Sequence, residues 1–452
     1  MTTLAQVAKT MRDVLTTQAD LVGRQSGLIQ RAVKFKGSSF AQVLVLGWMA
    51  NPEATLEALA QSAATLGLQI TAQGIDERFT ATAADFLKSL LSKTVAQVVA
   101  AEPVAIALLK RFSAVLLQDS TTIALPAALA EVFKGCGNGD NKCAAALKLH
   151  LQLDLLHGVI TALLIEPGCA ADAGSRVQHV EVAAGALRLA DLGYWDTTVL
   201  ARINQQGGYY LSRLKTSTII TEQTGRRLEL GEWLASSQDQ QSDVEVYLGR
   251  EKKLLSRLVA VRVPPEVEAQ RRRKLQQEAR RKGRTLKQSR LALAAWTIYV
   301  TNVEREKLSA AEVLKIGRVR WQIELIFKLW KSDGKLAESR SRKPWRILCE
   351  IYAKLIGLII AHWVMVVSLW KYAAKSLLKA IQTIRRHAMH LAAEFGQVTG
   401  VCRVLEVIGR CLRGGCRINQ RKAKPHSFQL LQQNESPNPK VGSKLLQQRV
   451  PA

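Results

Sequence analysis

Acidic residues are in short supply. Against 64 lysines and arginines the 452-residue chain carries 37 aspartates and glutamates, a formal net charge of +27. Such an excess favours polyanion partners, nucleic acid first and anionic membrane second. Long apolar runs are scarce as well. The one membrane candidate, Leu355 to Trp370, is about sixteen residues long, contains His362 and falls short of the ~20 needed to span. A buried core helix and no membrane partner are therefore expected. The seven cysteines are scattered: Cys136, Cys143, Cys169, Cys349, Cys402, Cys411 and Cys416. Their odd count, and a Met1–Asp20 stretch without an apolar core, point to reduced, cytosolic thiols rather than a disulfide framework. Cys411 and Cys416 have no His or Cys pair nearby, which argues against zinc. No Gly-rich loop ends in Lys-Ser/Thr, which argues against ATP. What is plentiful is apolar side chain, 48% of the chain, enough for a large core and about two to four domains.

The stretch from Arg320 to Lys331 carries the most information. Read as a helix, it places Arg320, Glu324, Lys328 and Lys331 in one narrow arc. The rest is mostly large and apolar (Ile323, Leu325, Ile326, Phe327, Leu329, Trp330), as in a buried helix. Buried charges are costly unless paired or holding a metal. The stripe must therefore face either an internal ion-pair ladder, Arg320–Glu324 and Glu324–Lys328, or a polar site.

Two aspartates upstream follow apolar strand patterns. The run Phe112 to Gln118 ends in Asp119-Ser120-Thr121, and Gly185 to Ala190 ends in Asp191-Leu192-Gly193-Tyr194. Taken singly, each reads as a strand-end turn, where Asp is common. Between them Ala146 to Leu153 alternates strictly, as in a strand with one exposed face. Val159 to Ile165 follows as its hairpin partner, with His157-Gly158 at the turn. A helix over Asp196 to Gln205 leads to a strand at Gly208 to Lys215.

Around this region the chain reads as follows. Residues 1–105 are helical, with apolar spacing in Val7–Met11–Val14–Leu15 and Phe86–Leu87–Leu90–Leu91. Two short helices near Thr55–Ala60 and Leu68–Phe79, with Thr71 as N-cap, have the outline of a helix-turn-helix, or of simple helical packing. Strand candidates at Arg227–Leu230, Val244–Leu248 and Leu258–Val263 precede a very basic helix opened by Pro264-Pro265 and broken at Gly283. Its Arg271, Arg272, Arg273 and Lys274 repel one another unless an anion is near, so a phosphate contact is expected rather than a solvated face. Leu291 to Thr301 reads as a strand. The apolar helix that begins at Pro344 is expected to pack across the sheet. Residues 373–413 are helical and basic, and 414–452 have the composition of a disordered tail.

Arg320, Glu324 and Lys331, with Trp321-Gln322-Ile323 after the Arg, resemble the Y-(2)-R-(3)-E-(6)-K signature of DDE transposases of the insertion sequence 4 family. The Tyr position falls on Gly317. Asp119-Ser120-Thr121 and Asp191-x-Gly193-Tyr194 resemble the first and second acidic blocks of the same family. The resemblance covers about Val115 to Lys354. It implies an α/β fold with an RNase H-like core in two parts, 106–215 and 291–372. An insertion domain at 216–290, mostly β, would interrupt it, and a helical N-terminal DNA-binding domain would precede it. It implies Asp119, Asp191 and Glu324 as catalytic carboxylates and ligands of two Mg²⁺ ions about 3.5–4 Å apart, with Mn²⁺ as a substitute. Asp119 would bridge the metals. Arg320, Lys328 and Lys331 would hold DNA phosphates. The implied protein is a cytoplasmic, nucleoid-associated enzyme that cuts DNA at the ends of a bacterial insertion sequence and joins them to target DNA, as a homodimer in a synaptic complex. Gly317 removes an aromatic ring that, in the family, helps stabilise a hairpin intermediate. Trp296, Tyr299 or Trp321 could replace it, and Gly317→Tyr is expected to be tolerated. The alternatives are a nuclease or recombinase of the same fold without transposition, and a domesticated DNA-binding protein.

Overall fold

The computed structural model describes residues 1–29, 35–136, 144–250, 253–418 and 426–432. Cys143, part of the expected 414–452 tail and its order lie outside them. Among the described residues nine strands form one mixed sheet: β1 Val115–Leu125, β2 Ala145–Asp154, β3 Ile160–Pro167, β4 Leu187–Ala190, β5 Tyr209–Arg213, β6 Ile220–Glu222, β7 Gln241–Leu248, β8 Leu254–Arg262 and β9 Trp296–Thr301. Their spatial order is β3-β2-β1-β4-β5-β9-β8-β7-β6. β1 is antiparallel to β2 and parallel to β4, and β4 is parallel to β5. β9 is antiparallel to both its neighbours, β5 and β8.

Side chains alternate across this sheet. Leu117, Leu189, Leu211, Val259 and Tyr299 point to one face and join a large core shared with the helices. Leu116, Tyr210, Leu258, Ile298 and Val300 point to the other and pack in a smaller core. Before β1 all regular structure among the described residues is helical. The spaced apolar residues of that part are buried, and Thr71 caps Ala72–Asp76 by accepting from Gly74 N–H at 3.0 Å. That second short helix is only five residues long.

Several expectations need correction. β1 does not end at Asp119 but continues to Leu125, because β2 pairs along its whole length while β4 leaves its other edge at Ala190. β2 has no exposed face. His150 and Gln152 are fully buried, since Tyr194 and Gln118 satisfy them. Arg227–Leu230 is not a strand: β6 lies earlier, and Leu230 opens a helix. β6, β7 and β8 form no sheet of their own; the 216–290 segment extends the common sheet through β8–β9 pairing. β9 starts only at Trp296, where β-branched and aromatic residues begin; the Leu- and Ala-rich residues before it are helical. The basic helix spans Pro265–Arg281 and stops before Gly283, whose φ of +60° suits glycine.

The apolar helix begins at Pro344, as expected, and runs to Leu369 over 26 residues. It is thus long and apolar enough to cross a membrane, but it is almost entirely buried in the protein. It packs chiefly against Gly37–Ala50, Ala81–Val95 and Val398–Gly415 rather than across the sheet. It meets the sheet at the β2–β3 hairpin, where His362 Nε2 lies 2.7 Å from the Gly158 carbonyl oxygen.

Candidate active site

β1 and β4 run parallel, with Gln118 opposite Ala190. The next residue on each chain is an aspartate, and Asp191 N–H reaches the Gln118 carbonyl at 3.4 Å. Asp119 and Asp191 therefore stand side by side on the face of Leu117 and Leu189. β4 ends there in the Leu192–Tyr194 turn, so the sheet opens beside Asp119. On the opposite face the buried Arg188 bridges β4 to β1 through Gln118 Oε1 at 2.9 Å.

Glu324 comes from above. The helix Trp321–Ser332, preceded by a single 3₁₀ turn at Arg318–Arg320, buries Ile323, Ile326, Phe327, Leu329 and Trp330 against that same face. It is less buried than expected: Trp321 and Leu325 are 39% and 37% exposed, and with Lys328 they form an outward stripe at helical spacing. Arg320 and Glu324 lie on the flank next to that stripe.

The three carboxylates converge on the Arg320 guanidinium. Nη1 is 2.7 Å from Asp119 Oδ2, while Nη2 is 2.6 Å from Glu324 Oε1 and 3.6 Å from Asp191 Oδ1. The Arg320–Glu324 rung of the ion-pair ladder is thus present, but it belongs to a larger cluster. Burial pushes the Asp119 carboxyl up to about 6; Arg320 and the Ser120 N–H only partly oppose this, and Asp191 and Glu324 add to it. Burial also raises Glu324. For Arg320 burial disfavours the charge, yet the three carboxylates outweigh it and raise its pKa. Lys331 ties the far end of the helix to β1 by donating to the Thr122 carbonyl at 2.7 Å, and burial lowers its pKa.

The donors fit a hard divalent cation, being carboxylate oxygens gathered at one place. As the side chains stand, no three His, Cys, Asp or Glu groups among the described residues close around a single point. The guanidinium holds that position. His387 and His390, 6.0 Å apart between ring centres, are not part of any such group.

The other DNA candidates are spread out. Arg273 and Lys274 are exposed on the basic helix, whereas Arg272 pairs with Glu268 at 2.8 Å. Arg271 turns inward and donates to the Trp296 carbonyl and Thr297 Oγ1 at 2.9 and 3.1 Å, so it serves β9 first. Sequence reasoning missed Arg213 and Arg318. Arg213 lies opposite Tyr299 across β5–β9, on the row that continues from Asp191. Arg318 keeps a buried Nη1 without a hydrogen-bond partner among the described residues. Arg271 and Arg318 both lie within charge-interaction range of the Tyr299 phenol. The ring of Tyr299 fills the place a side chain at 317 would take: a Cβ on Gly317 would stand 2.4 Å from its Cζ. The expected tolerance of Gly317→Tyr is therefore overturned on steric grounds.

A mixed sheet bearing two strand aspartates, with a glutamate delivered by a helix, describes a class of phosphoryl-transfer enzymes built on clustered carboxylates. The comparisons narrow the class. A family model described as a transposase DDE domain matches residues 110–360, more than half of the chain, and the chain belongs to that family. It is a DDE transposase. It is 27% identical over 441 residues to the transposase for insertion sequence element IS231E of Bacillus thuringiensis subsp. finitimus, with 91% of each chain covered. It is 28% identical over 369 residues to that for IS231C of Bacillus thuringiensis subsp. berliner, covering 76% of each. To that for IS1151 of Clostridium perfringens it is 27% identical over 324 residues, covering 66% of this chain and 67% of the relative.

Proposed function

We propose that this protein is the transposase of an insertion sequence, cutting DNA at the element's ends and joining them to target DNA with Asp119, Asp191 and Glu324 as its catalytic carboxylates. The observation that carries the reading is the convergence of those three side chains, from two parallel strands and one helix, on the single guanidinium of Arg320. The order β3-β2-β1-β4-β5, antiparallel then parallel, supports an RNase H-like core. The 216–290 segment would be its insertion and residues 1–105 a helical DNA-binding part. Arg320, Glu324 and Lys331, at the signature spacing and around one site, support placement in the insertion sequence 4 family.

Asp119, Asp191 and Glu324 are the residues that would hold Mg²⁺ or Mn²⁺. Bound there, divalent ions would activate the attacking water or hydroxyl and stabilise the leaving oxygen. Arg320, paired with all three carboxylates, offsets part of their negative charge. Displaced from them, it remains beside the site as a fork-shaped donor for a DNA phosphate. Lys331 and the exposed Lys328 extend positive charge along the helix. Trp321 offers an exposed ring on which a nucleotide base can stack. Arg213, Arg271 and Arg318, gathered about Tyr299 on the row that continues from Asp191, supply cations for the backbone of the same strand. Joining two ends in one event calls for two copies of the chain, so the reading includes a synaptic homodimer working on chromosomal DNA in the cytoplasm.

The test uses end-labelled DNA carrying the inverted repeats that flank the gene. Asp119→Asn, Asp191→Asn and Glu324→Gln should each reduce cleavage and strand transfer by roughly 10²–10³-fold or more, the scale for removing one charge-stabilising group. Binding of the same DNA without metal should persist. Cleavage near the wild-type rate in any one of the three would remove that residue from the site.

A further inference from the structure

Behind the carboxylates, on the opposite face of β1, lies a polar cluster that the sequence did not announce. Ser120 follows Asp119 and points to the other side of the sheet. Its hydroxyl donates to Asp172 Oδ1 at 2.9 Å. Asp172 opens a 3₁₀ turn in the segment between β3 and β4. Its other oxygen lies against the turn that follows Asp191: a Cβ on Gly193 would stand 2.6 Å from Asp172 Oδ2. One carboxylate thus touches the residue after Asp119 and the residue two after Asp191.

The rest of the cluster holds that carboxylate in place. Lys148 on β2 donates to the Ala170 carbonyl at 2.5 Å and to Asp172 Oδ1 at 3.3 Å. His150, fully buried next to Lys148 on the same face, lies 2.6 Å from the Tyr194 hydroxyl through Nδ1 and 3.1 Å from Glu166 Oε2 through Nε2, the latter not aligned for a hydrogen bond. Burial lowers the pKa of the imidazole against the pull of Glu166 and Asp172, which favours its neutral form. With its proton on Nε2, beside Glu166, it accepts the Tyr194 O–H at Nδ1. Gln178 donates to the Tyr194 carbonyl at 3.0 Å and closes the turn from the other end. The Asp191 turn is therefore fastened to β2 by Tyr194 and to β1 by Asp172.

We propose that Asp172 is a positioning residue for the metal-binding carboxylates, setting the spacing of Asp119 and Asp191 by bracing Ser120 and Gly193 at once. The proposal rests on the assignment of those aspartates given above. Asp172 is not itself a ligand here, because Ser120 and Lys148 already occupy its near oxygen and Gly193 covers the far one. The close approach also accounts for Gly193: any side chain there would push the carboxylate away. Groups that orient metal ligands from behind change metal affinity by about 10–100-fold when removed.

The test reads metal binding directly, by calorimetric titration of Mn²⁺ into the full-length protein without DNA. Asp172→Ala should raise the Mn²⁺ Kd by about 10–100-fold. Asp172→Asn, which can still accept from Ser120, should fall between it and the wild type. Cleavage by Asp172→Ala should recover toward the wild-type rate at saturating Mn²⁺, which a lost catalytic group would not do. Should Asp172→Ala fail to fold, Ser120→Ala removes the same brace without exposing Lys148 and should shift Kd the same way. An unchanged Kd in a folded variant overturns the proposal, as does cleavage that saturating Mn²⁺ does not restore. Asp119→Asn is the control. If it leaves Mn²⁺ binding intact, the carboxylate assignment itself is what fails.

Discussion

Position 317, which the resemblance would make a tyrosine, is a glycine, and the structure leaves no room there for a ring. The ring of Tyr299, reaching across from β9, already fills the space. A ring thus stands beside position 317, anchored on a strand instead of the helix approach. Tyr299 is 9% exposed, so a second ring at 317 has nowhere to go without moving β9 or the Arg318–Arg320 turn. Overpacking of this kind costs about 1–3 kcal/mol. Gly317→Tyr should lower stability by that amount, and Tyr299→Ala in the same chain should return much of the loss, a coupling that thermal denaturation of both single variants and the double variant will measure. Equal stability of Gly317→Tyr and the wild type would mean that the two positions do not share this space.

Two helices show how an element can be right in type and different in use. The site helix was expected to be buried nearly all round; instead Trp321, Leu325 and Lys328 face outward on the side away from the core. The basic helix was expected to present Arg271 to Lys274 as one phosphate-binding run. Only Arg273 and Lys274 are exposed, since Arg271 is bonded to β9 and Arg272 to Glu268. Each phosphate contact released contributes about 0.9 to the slope of log affinity against log salt. Replacing Arg273 and Lys274 together by Gln should reduce that slope by about 1.8, equally for all DNA sequences. Gel-shift titrations over a series of salt concentrations will show it, and an unchanged slope would mean that this face of the helix meets only solvent.

At the scale of the whole molecule, the segment between β5 and β9 is bound into the sheet, and one buried side chain joins it to the chain that leads into the candidate site helix. Arg257 on β8 is 5% exposed. It meets Asp243 through both carboxylate oxygens, at 2.8 and 2.6 Å. It also donates to the carbonyls of Val303 and Leu308, at 3.2 and 2.6 Å. Those carbonyls lie on the path from β9 to the helix Ala310–Gly317, which leads into the Arg320 turn. Removing Arg257 leaves Asp243 with only the more exposed Arg305, 3.3 Å away, and takes the donor from the Val303 and Leu308 carbonyls, at a cost of up to about 3 kcal/mol. Arg257→Met should therefore lower the urea midpoint followed by far-UV circular dichroism. An unmoved midpoint would mean that β8–β9 hydrogen bonding alone holds the segment.

The sequence by itself determined what local periodicity can encode. Helical spacing put Arg320 and Glu324 on one stripe, the apolar run before Asp191 placed it at a strand end, and Thr71 and Gly283 marked a helix start and a helix stop. Each follows from a repeat of a few residues, which a single chain segment carries within itself. Tertiary structure decided everything that depends on which segments meet. The parallel register of β1 and β4 set Asp119 beside Asp191. The polar face of β2, which alternation assigned to solvent, was buried because Tyr194 and Gln118 arrived from other segments to meet His150 and Gln152. Asp172 sits in a loop with no pattern of its own, and it matters only because folding brings Ser120 and Gly193 to it. Tyr299 and Gly317 share one space though they belong to different elements. Pairing between distant segments is fixed by complementary shape, charge and hydrogen bonding across the gap, and no local repeat records it.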